Sequence, residues 1–112
     1  MKIPLTHWVF TEDPYMAFSK QHEVDPYLWR EMYHNRYLWH QYDIPILTEF
    51  FNLKTGKNIN ERTIRRWIKR TILYNRAKEI RKRGVREVSH EFFENILTQK
   101  EMEEMFVVTQ KE

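Results

Sequence analysis

The basic side chains of this 112-residue chain are concentrated in one stretch, between Lys54 and Arg86. That stretch holds thirteen Lys or Arg against Glu61 and Glu79, a net charge of +11 in a chain whose total is +3. Guanidinium and ammonium groups bind phosphate oxygens, and a polyanion is attracted by a local patch of charge rather than by a mean isoelectric point. The pattern therefore predicts binding to a nucleic-acid backbone.

The residue types that other chemistry requires are absent or poorly spaced. The chain has no Cys, which excludes disulfides, iron-sulfur clusters and Cys-ligated zinc. His34 and His40 are six residues apart, which is not a ligand spacing on one helical face. No glycine-rich loop could cradle a phosphate, and no Ser lies in a nucleophile-elbow context. We predict a protein that is not an enzyme and that needs neither metal nor cofactor.

The elements that must position the basic stretch are predicted to be helices. Two Gly in the whole chain and few turn-forming clusters argue against hairpins. The predicted fold class is all-α: a small multi-helix domain that contains a helix-turn-helix, with at most one short strand near residues 85–88. No apolar run approaches the ~18 residues of a membrane span, so we expect a soluble, cytoplasmic protein with no membrane partner.

Length and hydrophobic content predict one domain, residues 1–112, in three regions. Residues 1–44 are rich in aromatic side chains and form a scaffold or interface region. Their first dozen residues are predicted to be an extended arm, and residues 26–42 a helix. Residues 45–84 hold the helix-turn-helix with its basic helix. Residues 85–112 form acidic C-terminal helices.

Local signals place the ends of several helices. The pairs Asp13-Pro14 and Asp25-Pro26 each put a capping side chain before a residue that suits the first helical turn. Pro45 begins a further helix that Gly56 ends as a left-handed cap. Asn60 is a good N-cap for the basic helix.

The basic helix is amphipathic in its first half only. At 100° per residue, Ile64, Trp67 and Ile68 share one side, and the opposite side is basic. From residue 73 the apolar residues move to the side that the arginines occupied. The helix is therefore predicted either to bend or end near residues 71–75, or to pack its second half against a different surface. A candidate dimer surface on that half consists of Leu73, Ala77 and Ile80.

The segment Thr63-Ile64-Arg65-Arg66-Trp67-Ile68, preceded by the aliphatic Ile59, resembles the recognition helix of the helix-turn-helix superfamily. The resemblance covers about a quarter of the chain, and the turn at residues 53–59 is longer than the usual one in that family. It implies a second helix that enters the major groove of DNA. The apolar side of that helix is expected to pack against Phe50 and Phe51.

Two sets of polar and basic side chains are predicted to contact nucleic acid. Arginines that face the groove can bond guanine in bidentate fashion, whereas contacts to phosphate position the protein without reading sequence. The predicted base contacts are Asn60, Arg62, Arg65, Arg66 and Lys69. The predicted phosphate contacts are Lys54, Lys57, Arg70, Arg76, Lys78, Arg81, Lys82 and Arg83.

The leading hypothesis is a helix-turn-helix protein that binds double-stranded DNA and regulates transcription, with a homodimer left open. One alternative is a non-enzymatic protein-interaction module, such as a small phage or mobile-element protein that binds a host factor or forms part of an assembly. Another is an RNA-binding protein, because the Arg-rich stretch from Arg76 to Arg83 alone would allow it.

Overall fold

This computed structural model describes residues 2–35, 43–93 and 96–104. The described part is mostly helical, which confirms the predicted helical class, and it has one two-stranded antiparallel sheet where the sequence predicts at most one short strand. The elements in chain order are β1 (Lys2–Pro4), α1 (Trp8–Thr11), α2 (Pro14–His22), α3 (Pro26–His34), α4 (Ile44–Thr55), α5 (Glu61–Arg81), β2 (Glu87–Ser89), a 3-10 helix (His90–Phe93) and α6 (Gln99–Met102).

The chain divides into two compact units. The first, here called the central unit, is Asp13–Thr71, and the second, here called the terminal unit, combines Met1–Glu12 with Ile72–Glu112. The boundary at residue 71 falls inside α5, so one helix supplies residues to both units. The single domain that we predict from the sequence stays a prediction.

The helix starts predicted at the two Asp-Pro pairs of the central unit are confirmed, and α4 begins at Ile44, one residue before the predicted Pro45, with Asp43 as its N-cap. The Asp13 carboxylate accepts a hydrogen bond from the backbone N–H of Tyr15 at 2.9 Å, and the Asp25 carboxylate accepts one from Tyr27 at 2.8 Å. Each helix also has a Pro in its first turn. The helix α3 ends at His34, and the rest of the helix predicted for residues 26–42 lies outside the described residues.

The core of the central unit is built from aromatic rings, one from each of its four helices. Phe18 of α2 is fully buried and touches the other three. Its ring stacks on Trp29 with centroids 4.3 Å apart, and it meets Phe51 at 5.7 Å and Trp67 at 5.4 Å in edge-on geometry. Offset stacking and edge-to-face contact are the arrangements that aromatic pairs prefer. Phe18 therefore joins α3, α4 and α5 through one side chain.

The terminal unit contains a small sheet that the sequence predicted only in part. Strand β2 lies close to the predicted strand at residues 85–88, and it pairs antiparallel with β1, so that Ile3 faces Val88.

The sequence predicts an extended arm for the first dozen residues. They are extended only in β1, and α1 follows, with its first turn capped by the His7 Nδ1, which accepts from Val9 N–H at 3.2 Å. The prediction was wrong there because α1 has four residues, too few to give a helical period.

The second half of α5 belongs to the core of the terminal unit. Leu73 and Ala77 are fully buried and lie in one apolar cluster with Phe10 and Phe93, and Ile80 packs against that cluster. The helix is continuous from Glu61 to Arg81, so it does not end near residues 71–75, and the predicted change of packing surface is right. The candidate dimer surface on Leu73, Ala77 and Ile80 is also wrong, because residues of the same chain cover it.

Truncation of Phe18 tests the aromatic core. Phe18→Ala should lower the free energy of unfolding by about 3 to 5 kcal/mol, because the substitution removes a buried ring and leaves a cavity among three others. Met16→Ala on the same helix, at a side chain that is 58% exposed, should change it by less than about 0.5 kcal/mol. Urea denaturation followed by circular dichroism measures both, and equal effects of the two substitutions would contradict this account of the core.

Candidate nucleic-acid interface

The connection between α4 and α5 is held in place by Asn52. Its side-chain amide donates to the carbonyl oxygen of Ile59 at 2.7 Å, and its Oδ1 accepts from the N–H of Ile59 at 3.0 Å. Gly56 ends α4 in the left-handed conformation, at φ 73°, as predicted, and its N–H donates to the Asn52 carbonyl at 2.8 Å. The connection is therefore ordered by one residue of α4 that the sequence did not single out, since nothing in a helical Asn reveals a partner seven residues away.

Asn60 caps the start of α5. Its Oδ1 accepts from Thr63 N–H at 2.8 Å, and its carbonyl accepts from Ile64 N–H at 3.1 Å. A bidentate contact of Asn to adenine uses both the oxygen and the nitrogen of the side-chain amide. Because the oxygen serves the cap, we assign Asn60 to the helix start and not to base reading.

The inner face of the first half of α5 is fixed by packing and by two hydrogen bonds. Ile64, Trp67 and Ile68 are buried, as predicted. Thr71 is fully buried as well, and its hydroxyl accepts from the Trp29 indole N–H at 3.3 Å while it donates to the Trp67 carbonyl at 2.7 Å. These contacts set the rotation of α5 about its axis and thereby decide which side chains point outward.

The expected packing against Phe50 is wrong. Phe50 is 46% exposed, whereas its neighbour Phe51 is buried at 2%. Successive residues of a helix point about 100° apart, and the buried face of α4 consists of Leu47, Thr48 and Phe51. Phe50 consequently belongs to the outer surface of α4.

The outer face of the first half of α5 carries the arginines that the sequence assigned to it. Arg62, Arg65 and Arg66 are exposed, and Lys69 is half-buried. The Arg65 Nη2 lies 2.9 Å from Glu61 Oε1, one helical turn earlier. An exposed pair of this kind adds little stability, about 0.3 to 0.5 kcal/mol, but it directs the guanidinium toward the N-terminal end of the helix.

Three other predicted cations lie in the central unit. Lys54 is exposed. The Lys57 ammonium lies 4.0 Å from Glu23 Oε2, and the Arg70 guanidinium lies over the Trp67 indole at 4.2 Å from the ring centroid. Cation–π contact of this kind stabilises the fold. Lys57 and Arg70 thus already have intramolecular contacts, which any phosphate contact would have to accommodate.

The remaining predicted phosphate contacts lie in the terminal unit. Arg76, Lys78, Lys82 and Arg83 are exposed there. Arg81 differs, because its Nη1 donates to the backbone carbonyls of Leu5 at 3.2 Å and Phe10 at 3.3 Å. We therefore correct its predicted role: Arg81 ties the N-terminal residues to α5. The sequence could not distinguish it from its basic neighbours, because its partners are more than seventy positions away.

His22 lies beside the aromatic core that supports the first half of α5. Its half-buried ring is 4.8 Å from that of Phe18 and 6.3 Å from that of Trp67. Burial lowers the pKa of His22, and the positive charge of Lys57 lowers it further. The folded chain therefore favours the neutral imidazole.

No protein-family model, curated protein or solved structure matches this chain. Within residues 2–35, 43–93 and 96–104, no helix is long and apolar enough to cross a membrane. The same residues contain no group of three or more His, Asp or Glu side chains that could hold a metal ion. His40 lies outside them.

Loss of the Asn52 side chain should loosen the connection between α4 and α5. Asn52→Ala leaves the N–H and the carbonyl of the buried Ile59 without their partners, so the free energy of unfolding should fall by about 1 to 3 kcal/mol. Asn58→Ala provides the matched control in the same connection, at an exposed side chain, with an expected change below about 0.5 kcal/mol. Urea denaturation checks the pair, and a cost for Asn58→Ala as large as for Asn52→Ala would contradict the assignment.

Acidification should destabilise the fold partly through His22. Because its pKa is lowered in the folded chain, the unfolded chain binds the proton more readily below the ordinary value of 6.5. The folded chain is thus most stable with respect to His22 above pH 6.5, where the imidazole is neutral in both states, and it loses stability as the pH falls from there through the folded-state pKa. His22→Gln should flatten the dependence of the melting temperature on pH in this range, and Gln21→Ala, at the neighbouring exposed position without a titratable group, should leave it unchanged. An unaltered slope in His22→Gln would refute the prediction. His7, whose pKa burial also lowers, should contribute a further part of the slope.

Proposed function

We propose that this chain is a DNA-binding protein of helix-turn-helix type that inserts the first half of α5 into the major groove and acts as a transcriptional regulator. The observation that carries the proposal is the division of that half-helix into a buried apolar face and an exposed basic face. Ile64 and Trp67 are 0% and 3% exposed, while Arg62, Arg65 and Arg66 are exposed on the other side.

The fixed rotation of α5 supports sequence reading in particular. A side chain discriminates between bases only if its helix enters the groove at a defined angle, because bidentate bonds to guanine O6 and N7 tolerate little displacement. The buried Trp29–Thr71–Trp67 hydrogen bonds and the Asn52 contact to Ile59 both restrict the start and the rotation of the helix.

The composition of the exposed face also favours a polyanionic partner. From residue 62 to residue 70 the helix carries five Lys or Arg and no acidic residue. Like charges one turn apart repel one another, and a phosphate backbone removes that repulsion and releases counterions. Arg62, Arg65 and Arg66 are the base-reading candidates, and Lys69, on the same half of α5, is a phosphate-contact candidate.

Removal of two exposed arginines tests the proposal. The double variant Arg62→Ala with Arg66→Ala should weaken duplex binding by about tenfold or more, since each contact to a base or phosphate contributes about 1 to 3 kcal/mol. The control, Lys20→Ala with Lys100→Ala, removes the same charge at exposed sites outside α5 and should change affinity by less than about threefold. Fluorescence anisotropy against a random duplex pool, followed by selection of bound sequences, measures affinity and preference.

The dependence of binding on salt and a comparison of nucleic-acid substrates provide the results that would contradict the proposal. Each phosphate that a Lys or Arg of this surface neutralises should add about −0.9 to the slope of log K against log salt. Absence of binding to every duplex at low salt would contradict DNA binding. Equal loss in the two double variants, or binding without any sequence preference, would contradict reading by α5. Tighter binding to structured RNA than to duplex DNA would favour the RNA alternative, for which the segment from Arg76 to Arg81 is already helical in the structure.

A further inference from the structure

One face of α4 exposes large apolar side chains in a regular row. Ile46 is 42% exposed, Phe50 46% and Leu53 78%. At 100° per residue these three fall within an arc of about 60° on the helix, and the buried Leu47 and Phe51 point on average about 110° away from the middle of that arc. No other helix within the described residues presents three such side chains. A contiguous exposed apolar surface of this kind marks an interaction site.

The spacing along this row is that of a helix that pairs with another helix. Ile46, Phe50 and Leu53 are separated by four and then three residues, the alternation of the d and a positions of a heptad repeat. In that register Glu49 occupies a g position and Lys54 an e position, on opposite flanks of the row. Both are exposed, and the Lys54 ammonium lies 5.9 Å from the centroid of the Phe50 ring.

The two flanking charges distinguish between possible occupants. In a parallel pair of identical helices, g of one copy faces e of the other five residues further on, which places Glu49 against Lys54 on both sides of the seam. In an antiparallel pair g faces g and e faces e, which places Glu49 against Glu49 and Lys54 against Lys54. Charge therefore favours self-pairing in the parallel direction and disfavours the antiparallel one.

We propose that α4 pairs in parallel with α4 of a second copy of this chain, through Ile46, Phe50 and Leu53, with Glu49 of each copy facing Lys54 of the other. This replaces the dimer surface expected on the second half of α5, which is buried within the chain. It does not rest on DNA binding. It also gives Lys54 a role at the dimer seam instead of the phosphate contact that the sequence predicted.

Charge reversal in the DNA-free protein tests the arrangement. Sedimentation equilibrium between about 5 and 500 μM should detect a reversible dimer. Glu49→Lys and Lys54→Glu, made singly, each place like charges across both sides of the seam and should raise the dissociation constant about fivefold or more. The double variant Glu49→Lys with Lys54→Glu restores opposite charges and should return it to within about twofold of the parent value. Both substituted positions, Glu49 and Lys54, are exposed in the monomer, so the fold should persist, which circular dichroism verifies.

Two further variants complete the test: one disrupts the apolar row, and the other introduces a single cysteine into it. Leu53→Asp should weaken the dimer at least tenfold. Because the chain has no Cys, Ile46→Cys introduces a single thiol. In the parallel pair residue 46 of one copy faces residue 46 of the other, so mild oxidation should give a disulfide dimer, faster than in the control Met16→Cys on α2. A monomer at 500 μM, single charge reversals without effect, or equal oxidation rates for the two Cys variants would each overturn the proposal.

Discussion

The contact of Phe18 with three other aromatic rings is the interaction on which the central unit depends. Each ring comes from a different helix, so the relative placement of α2, α3, α4 and the start of α5 follows from one set of ring contacts. Trp29 adds a hydrogen bond from its indole to Thr71, which is itself bonded to the Trp67 carbonyl. The direction in which the arginines of α5 point is thus a consequence of aromatic packing on the opposite side of that helix.

A change of apolar side at residues 71–73 lets one helix serve two cores. Up to Thr71, α5 buries Ile64, Trp67 and Ile68 in the central unit; from Leu73 it buries a different side in the terminal unit. The helix needs no bend for this, because an α-helix presents every direction within two turns. At 100° per residue, the arginines of the first half and the apolar residues of the second half therefore point to the same side of α5, but the arginines are exposed and the apolar residues are buried.

The basic residues form a less uniform group than their density in the sequence suggests. Arg62 and Arg66 are exposed, whereas Arg70 packs on an indole and Arg81 bonds two backbone carbonyls. An arginine has the same local signature in each of these roles, since its stem can cover apolar surface while its head binds an oxygen or a ring. Only the position of the partner separates an outward charge from a structural one.

The sequence by itself determined the helical class, the Asp-Pro helix starts, the Gly56 cap, the Asn60 start and the buried side of the first half of α5, because all of these depend on residues within one or two turns of each other. Tertiary structure decided the pairing of β1 with β2, the exposure of Phe50, the burial of the second half of α5 and the role of Asn52. These features join residues that are distant in the chain, or depend on which of two adjacent side chains meets a neighbouring helix. Local sequence patterns do not identify such partners, so these features depend on tertiary packing.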